Sequence, residues 1–128
     1  MGARGPLTVV IADDHDLFAE SVRAFLSTEH SIDVVARAAN GEEAARLAAE
    51  IRPDVVLMDI SMPVMDGFAA ARQIRDEVPD TSVLFLTGSN SPADVAQARA
   101  VGGAGYVTKD QIVSELVDAI HAAAPARE

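Results

Sequence analysis

The sequence predicts an α/β fold built on a parallel sheet, and three observations predict it. Short apolar runs rich in Val, Ile and Leu recur along the chain. Each is followed by a stretch whose apolar residues return at helical spacing. Four of the runs close on polar groups capable of chemistry: Asp13-Asp14, Asp59, Thr87 and Lys109. A continuous apolar run without alternation reads as a strand buried on both faces. Strands alternating with helices imply βαβ units and right-handed crossovers.

Taken in order, Met1 to Leu7 holds two Gly and a Pro with little apolar content, and reads as a tail. Thr8-Val9-Val10-Ile11-Ala12 is the first strand. Phe18, Val22, Phe25 and Leu26 mark one face of the first helix. Ile32 to Val35 is a short second strand. Asn40, with Glu43 three residues later, caps a helix that buries Ala44, Leu47, Ala48 and Ile51. Val55-Val56-Leu57-Met58 is the central strand, with Asp59 at its carboxyl end. Ala71, Ile74 and Val78 face inward from a third helix that stops near Pro79. Ser82 to Leu86 is the fourth strand, closed by Thr87. Ser91-Pro92 opens a fourth helix with a weak apolar face, mostly Ala with Val95 and Val101, which ends at Gly102-Gly103. Gly105-Tyr106-Val107-Thr108 is the fifth strand. The last helix starts at Asp110 and turns Ile112, Leu116, Ala119 and Ile120 inward. Five repeats of strand and helix lead to a doubly wound, flavodoxin-like sheet of order 2-1-3-4-5 in a three-layer sandwich. A barrel would need more strands. The expected organisation is a tail at 1–7, one domain over 8–122, and at 123–128 a tail or the start of a linker.

A chain of 128 residues that is 49% hydrophobic can close one full core. There is no cysteine, hence no disulfide framework and no thiolate metal site. No apolar run approaches a membrane span and no signal-peptide core is present, so a cytoplasmic protein is expected, without membrane contact. Twenty acids against ten bases give a net charge of −10, which argues against non-specific nucleic-acid binding by this domain itself.

In a parallel sheet the carboxyl ends of the strands share one edge, where ligands bind. Asp13, Asp14, Asp59, Thr87 and Lys109 therefore converge. Three carboxylates within ~6 Å repel by about 3 kcal/mol per pair at an effective dielectric of ~20. A divalent cation or a proton relieves such a cluster. All-oxygen ligands suit Mg2+. Asp14 and Asp59 read as direct ligands, Asp13 as a ligand through water, and a backbone carbonyl near Ser61 as completing the set. Asp59 is the nucleophile candidate, because aspartate can form an acyl phosphate. Lys109 would neutralise charge and the Thr87 hydroxyl would bond a phosphoryl oxygen. Thr87 moving inward would open space for Tyr106, repacking the face made by the fourth helix, fifth strand and fifth helix.

Each residue has a plainer reading. Asp13-Asp14 alone is a helix-cap region, Asp59 a strand-end turn residue, Thr87 an ordinary strand residue and Lys109 a surface lysine. Tyr106 reads equally as plain core. Ser61 and Ser89 flank the site, either setting acyl-phosphate hydrolysis or serving as loop. Met62, Pro63 and Met65 read as loop packing. His15, His30 and His121 read as solvated or capping groups, with no sign of a phosphohistidine. Gly102-Gly103-Ala104-Gly105 precedes a strand, so it is no dinucleotide loop.

The co-occurrence in order is what carries weight. Asp13-Asp14, Asp59, Met62-Pro63-x-Met65-Asp66-Gly67, Leu86-Thr87 and Lys109, with Tyr106 as switch aromatic, stand in the order and spacing of response-regulator receiver domains of two-component signalling. The chain resembles that family over essentially everything after Leu7, and Gly102 to Asp110 is most similar to its NarL/FixJ branch. The resemblance implies phosphorylation of Asp59 by a sensor histidine kinase, dependence on Mg2+, and output through a DNA-binding domain or a partner. Two positions depart from the family pattern: Gly88 stands where Ala is common, and Asp110 where many relatives have Pro.

A phospho-acceptor switch is thus the expected function, with self-catalysed phosphorylation and dephosphorylation as its only chemistry. A helix-turn-helix output domain would lie outside this chain, and DNA would be reached only through it. The alternatives are a stand-alone receiver working by protein contact or as a phosphorelay intermediate, an unphosphorylated interaction module, and an aspartyl-phosphate phosphatase. The phosphatase usually carries a second Asp two residues after the nucleophile, where this chain has Ser61. The helices from Pro92 to Val101 and from Asp110 to Ala123 form the expected partner surface, with a homodimer as one occupant.

Overall fold

A computed structural model describes residues 5–88 and 91–124. Residues 1–4 of the expected tail, Ser89, and residues 125–128 lie outside the described residues. Five strands and five helices alternate: β1 (Leu7–Ala12), α1 (Asp16–Ser27), β2 (Ile32–Ala38), α2 (Gly41–Ile51), β3 (Val55–Asp59), α3 (Gly67–Glu77), β4 (Ser82–Thr87), α4 (Pro92–Ala100), β5 (Gly105–Thr108) and α5 (Ile112–Ala123). The sheet is parallel throughout, with the order β2-β1-β3-β4-β5 that the alternation predicts.

Strand residues alternate between two cores. Val10, Ala12, Val56, Met58, Val83 and Phe85 face one layer, where Ala44, Ala48, Phe68, Ala71, Ile74 and Ala98 arrive from α2, α3 and α4. Val9, Ile11, Val55, Leu57, Leu84, Leu86 and Val107 face the other, against Val22 and Leu26 of α1 and Leu116 and Ile120 of α5. Every residue of β3 is buried, as a strand covered on both faces must be.

Local signals act as their chemistry requires. Asn40 Oδ1 accepts from the Glu43 backbone N–H at 2.8 Å, and Glu43 Oε1 accepts in return from the Ala39 N–H at 2.7 Å. Ser91 Oγ accepts from the Asp94 N–H at 3.2 Å, with Pro92 opening the helix. Gly102, at φ 86°, follows α4 and stops it.

The boundaries differ from expectation in four places. Leu7 belongs to β1, not to the tail: it is buried, and its N–H donates to Ser31 O at 2.9 Å. β2 runs three residues further, to Ala38, because Ala36, Arg37 and Ala38 continue the ladder opposite Val10, Ile11 and Ala12. Ile51 is 39% exposed at the end of α2, where the chain turns away through left-handed Arg52, and Ala45 is buried in its stead. Lys109–Gln111 form a 3-10 turn before α5, which begins at Ile112 and extends to buried Ala123.

Candidate functional site

The sheet order places the site. β1 and β3 are neighbours although a whole strand–helix unit separates them in sequence, and their crossovers leave to opposite sides. The carboxyl ends of β1 and β3 flank this switch point, and the ends of β4 and β5 adjoin it. Asp13 follows β1, Asp59 ends β3, Thr87 ends β4 and Lys109 follows β5.

Asp13 is 1% exposed. Its N–H donates to Ala38 O at 3.0 Å, which extends the strand ladder and fixes where its carboxylate points. Oδ1 accepts the His15 backbone N–H at 2.8 Å, and Oδ2 accepts from Lys109 Nζ at 3.1 Å. Lys109 Nζ also stands 3.7 Å from Asp59 Oδ1 and 4.2 Å from the centre of the Phe18 ring. The lysine thus bridges carboxylates from two strands while an aromatic face steadies its ammonium. Arg37, at the end of β2, donates from Nη2 to Asp13 O at 2.7 Å and pairs through Nη1 with Asp16 Oδ1 at 2.7 Å. It clamps the turn that carries Asp13, Asp14 and His15.

Asp59 is 6% exposed. Burial holds its carboxyl above the usual carboxylate range; Asp13 adds to the rise, Lys109 opposes it, Asp14 adds again, and the Ile60 backbone hydrogen bond opposes it. Asp14 is half-buried, and its Oδ1 atom is buried without a hydrogen bond even though His15 Nδ1 lies 3.2 Å away. Asp13, Asp14, His15 and Asp59 each offer a ligand atom within 4.8 Å of one another. Lys109 pairs with Asp13 and Asp59 but not with Asp14, so the acids outnumber it. A partly buried set of hard oxygens with an orphaned carboxylate oxygen and an excess of negative charge fits a hard divalent cation.

The cleft beside these acids has a volume of ≈ 270 Å³ and opens to solvent between Ser61, Thr87, Gly88 and Lys109. Asp94, in the first turn of α4, also lines it. The loop after Asp59 returns tightly. Gly67 N–H donates to Ile60 O at 2.8 Å, and a Cβ on Gly67 would stand 2.2 Å from Asp59 O. Gly41 N–H donates to Met65 O at 3.0 Å, so α2 and α3 both start against this loop.

The structure therefore brings Asp13, Asp14, Asp59, Ser61, Thr87 and Lys109 to one edge. Tyr106 stands apart: it is 36% exposed on β5, pairs in register with Phe85, and does not line the cleft. His15, read from sequence as solvated or capping, is solvated: its ring is 68% exposed, makes no cap hydrogen bond to α1, and lies beside Asp13 and Asp14. Sequence reasoning missed Arg37, Phe18 and Asp94. A lone Arg at the end of a strand hints at a turn clamp, but Phe18 was legible only as core and Asp94 only as a first-turn acid.

The model of the response regulator receiver domain family matches residues 9–121. The transcriptional regulatory protein YhcZ of Bacillus subtilis is 41% identical over 111 residues, covering 87% of this chain and 52% of that protein. LiaR of the same organism is 37% identical over 117 residues, covering 91% and 56%. Among solved structures, the signal receiver domain of the putative response regulator NarL from Mycobacterium tuberculosis superposes with a TM-score of 0.83 at 39% identity, covering 92% of this chain and 98% of that one. A LuxR-family response regulator from Aurantimonas gives 0.87 at 36% identity, covering 92% and 84%. The chain spans about half the length of the curated relatives it matches.

Proposed function

Because this chain belongs to the response regulator receiver domain family, we propose that it is a phospho-acceptor switch in which Asp59 takes a phosphoryl group from a sensor histidine kinase. One observation carries the reading. A buried, partly desolvated Asp59 carboxylate stands 3.7 Å from Lys109 Nζ at the floor of an open cleft. Asp14, Asp59 and a carbonyl at Ser61 would hold Mg2+, with Asp13 acting through water. Bound there, the ion would offset the charge of the acids and of the incoming phosphoryl oxygens.

The chain's own groups account for the rest. An Asp59 carboxylate oxygen forms the bond to phosphorus in line with the departing donor nitrogen, and the mixed anhydride keeps the phosphoryl group. Lys109 Nζ, already shared between Asp13 and Asp59, meets the added charge. The Thr87 hydroxyl donates to a phosphoryl oxygen. Its inward movement would admit Tyr106, now half-exposed, and alter the face of α4, β5 and α5. That face would pair with a second copy or an output partner. Transcriptional control would follow through a DNA-binding domain outside these residues, a reading supported by the names of YhcZ and LiaR as transcriptional regulatory proteins.

Incubation of the chain with acetyl phosphate and Mg2+, followed by intact-mass spectrometry, tests this. One phosphoryl adduct is expected, absent without Mg2+ and absent in Asp59→Asn. An unmodified wild-type chain under these conditions contradicts the proposal. Multiple turnover on a small phosphomonoester would favour a phosphatase.

A further inference from the structure

We propose that Asp94 sets the donor preference of the Asp59 site: its carboxylate favours donors that carry the phosphoryl group on nitrogen, as phosphohistidine does, over acyl-phosphate donors. The inference rests on the reading of Asp59 as a phosphoryl acceptor and adds to it a residue that reading does not use.

Asp94 stands in the first turn of α4, where its N–H donates to Ser91 Oγ at 3.2 Å. It is half-buried and lines the same cleft as Asp59, Ser61, Thr87 and Lys109. Lys109, the lysine on that wall, is engaged by Asp13 and Asp59, so Asp94 has no counter-ion among the described residues. A cleft of ≈ 270 Å³ is about 8 Å across if round, no more than the Debye length at physiological salt, so a group inside it feels every charge on the wall. In-line transfer puts the departing atom opposite the attacking Asp59 oxygen, toward the open side of the cleft. The two donor classes place opposite charges there. A P–N donor reacts with its leaving group protonated, as an ammonium or an imidazolium. The bond electrons pass to nitrogen and the amine or imidazole departs neutral, so the positive charge that remains in the transition state is attracted to Asp94. An acyl-phosphate donor expels a carboxylate, so negative charge grows on the departing oxygen and Asp94 repels it. In both reactions an Asp59 carboxylate oxygen gains the bond to phosphorus that the donor loses. Ser61, Thr87 and Gly88 on the same wall carry no charge, which leaves the discrimination to Asp94.

The test compares second-order rate constants for phosphorylation by phosphoramidate and by acetyl phosphate at saturating Mg2+, followed by intact-mass spectrometry, in wild type, Asp94→Asn and Asp80→Asn. Asp80 is exposed just before β4, at the opposite edge of the sheet, and its replacement changes the net charge by the same amount. Asp94→Asn should lower the phosphoramidate:acetyl phosphate ratio by about twofold or more at low salt, and the difference from wild type should shrink as ionic strength rises. Asp80→Asn should leave the ratio at the wild-type value. Damage to the fold or to Mg2+ binding slows both donors together and leaves the ratio unmoved, so the ratio reads the charge at Asp94 alone. A fall of less than about twofold in Asp94→Asn, or a rise, overturns the proposal. So does a fall that Asp80→Asn reproduces or that salt does not reduce. If the wild type takes a phosphoryl group from neither donor, the reading of Asp59 as acceptor fails and the proposal falls with it. If both donors react and the ratio does not move, only the role of Asp94 falls.

Discussion

At the scale of single residues, Asp59 is held in an environment that disfavours its charge. Its folded-state pKa is raised, so the folded chain binds more protons than the unfolded one between the ordinary Asp value and the raised one. Stability of the metal-free domain must therefore fall as pH rises through that window, and stay lower above it. Asp59→Asn removes the slope. The variant should be more stable than the wild type at neutral pH in the absence of metal, because Asn carries no charge to desolvate. Urea denaturation at several pH values checks this, and a wild-type slope identical to that of the variant would refute it. Val64 is a second strained residue. It is 76% exposed at φ 69°, with Met65 N–H donating to Pro63 O at 2.7 Å around it. A left-handed β-branched residue carries about 1–2 kcal/mol of strain, so Val64→Asn should raise stability by roughly 0.5–1 kcal/mol. The acids, Thr87 and Lys109 were legible because strand ends are legible. Phe18 under Lys109 and Arg37 over the Asp13 turn were not, since each depends on how closely two distant elements approach.

At the scale of elements, the helices start where the site needs them because two glycines permit close approach. Gly67 allows α3 to begin against the Asp59 backbone, and a Cβ there would meet Asp59 O at 2.2 Å. Gly67→Ala should destabilise by about 1–3 kcal/mol, as overpacking does, and should weaken Mg2+ binding as Asp59 is displaced. Gly88 is the contrast, with nothing within 4 Å of its added Cβ. Gly88→Ala, the residue common in the family, should be neutral or stabilising by up to about 1 kcal/mol, through the unfolded state. Thermal melts of the two variants separate them. Strand and helix alternation was readable from periodicity alone. The errors fell where packing outweighs pattern: Ala36, Arg37 and Ala38 lack a strand's apolar run yet pair with β1, and Ile51 has a core residue's chemistry but sits past the last covered turn of α2.

At the scale of the whole molecule, two cores of unequal content sandwich one sheet, and both converge on β3, the most deeply buried strand. No helix among the described residues is long and apolar enough to cross a membrane. The sheet order, foreseen from five repeats, is what turns dispersed residues into one edge. Arg37 links β2 to that edge, so Arg37→Ala should loosen the turn of Asp13 and Asp14. A half-buried Arg making a charge-assisted bond is worth at most about 1.5–3 kcal/mol, and the loss should appear both in stability and in weaker Mg2+ binding by calorimetry. The central claim is that acids from β1 and β3, joined by Lys109, make Asp59 the acceptor of a phosphoryl group. Reductive trapping tests it most directly: the chain is treated with acetyl phosphate and Mg2+, reduced with borohydride to convert an acyl phosphate to homoserine, and mapped by peptide mass spectrometry. Homoserine at position 59, and its loss when Mg2+ is omitted or Lys109 is replaced by Ala, is the predicted result. Homoserine at position 13 or 14, or none at all, would contradict it.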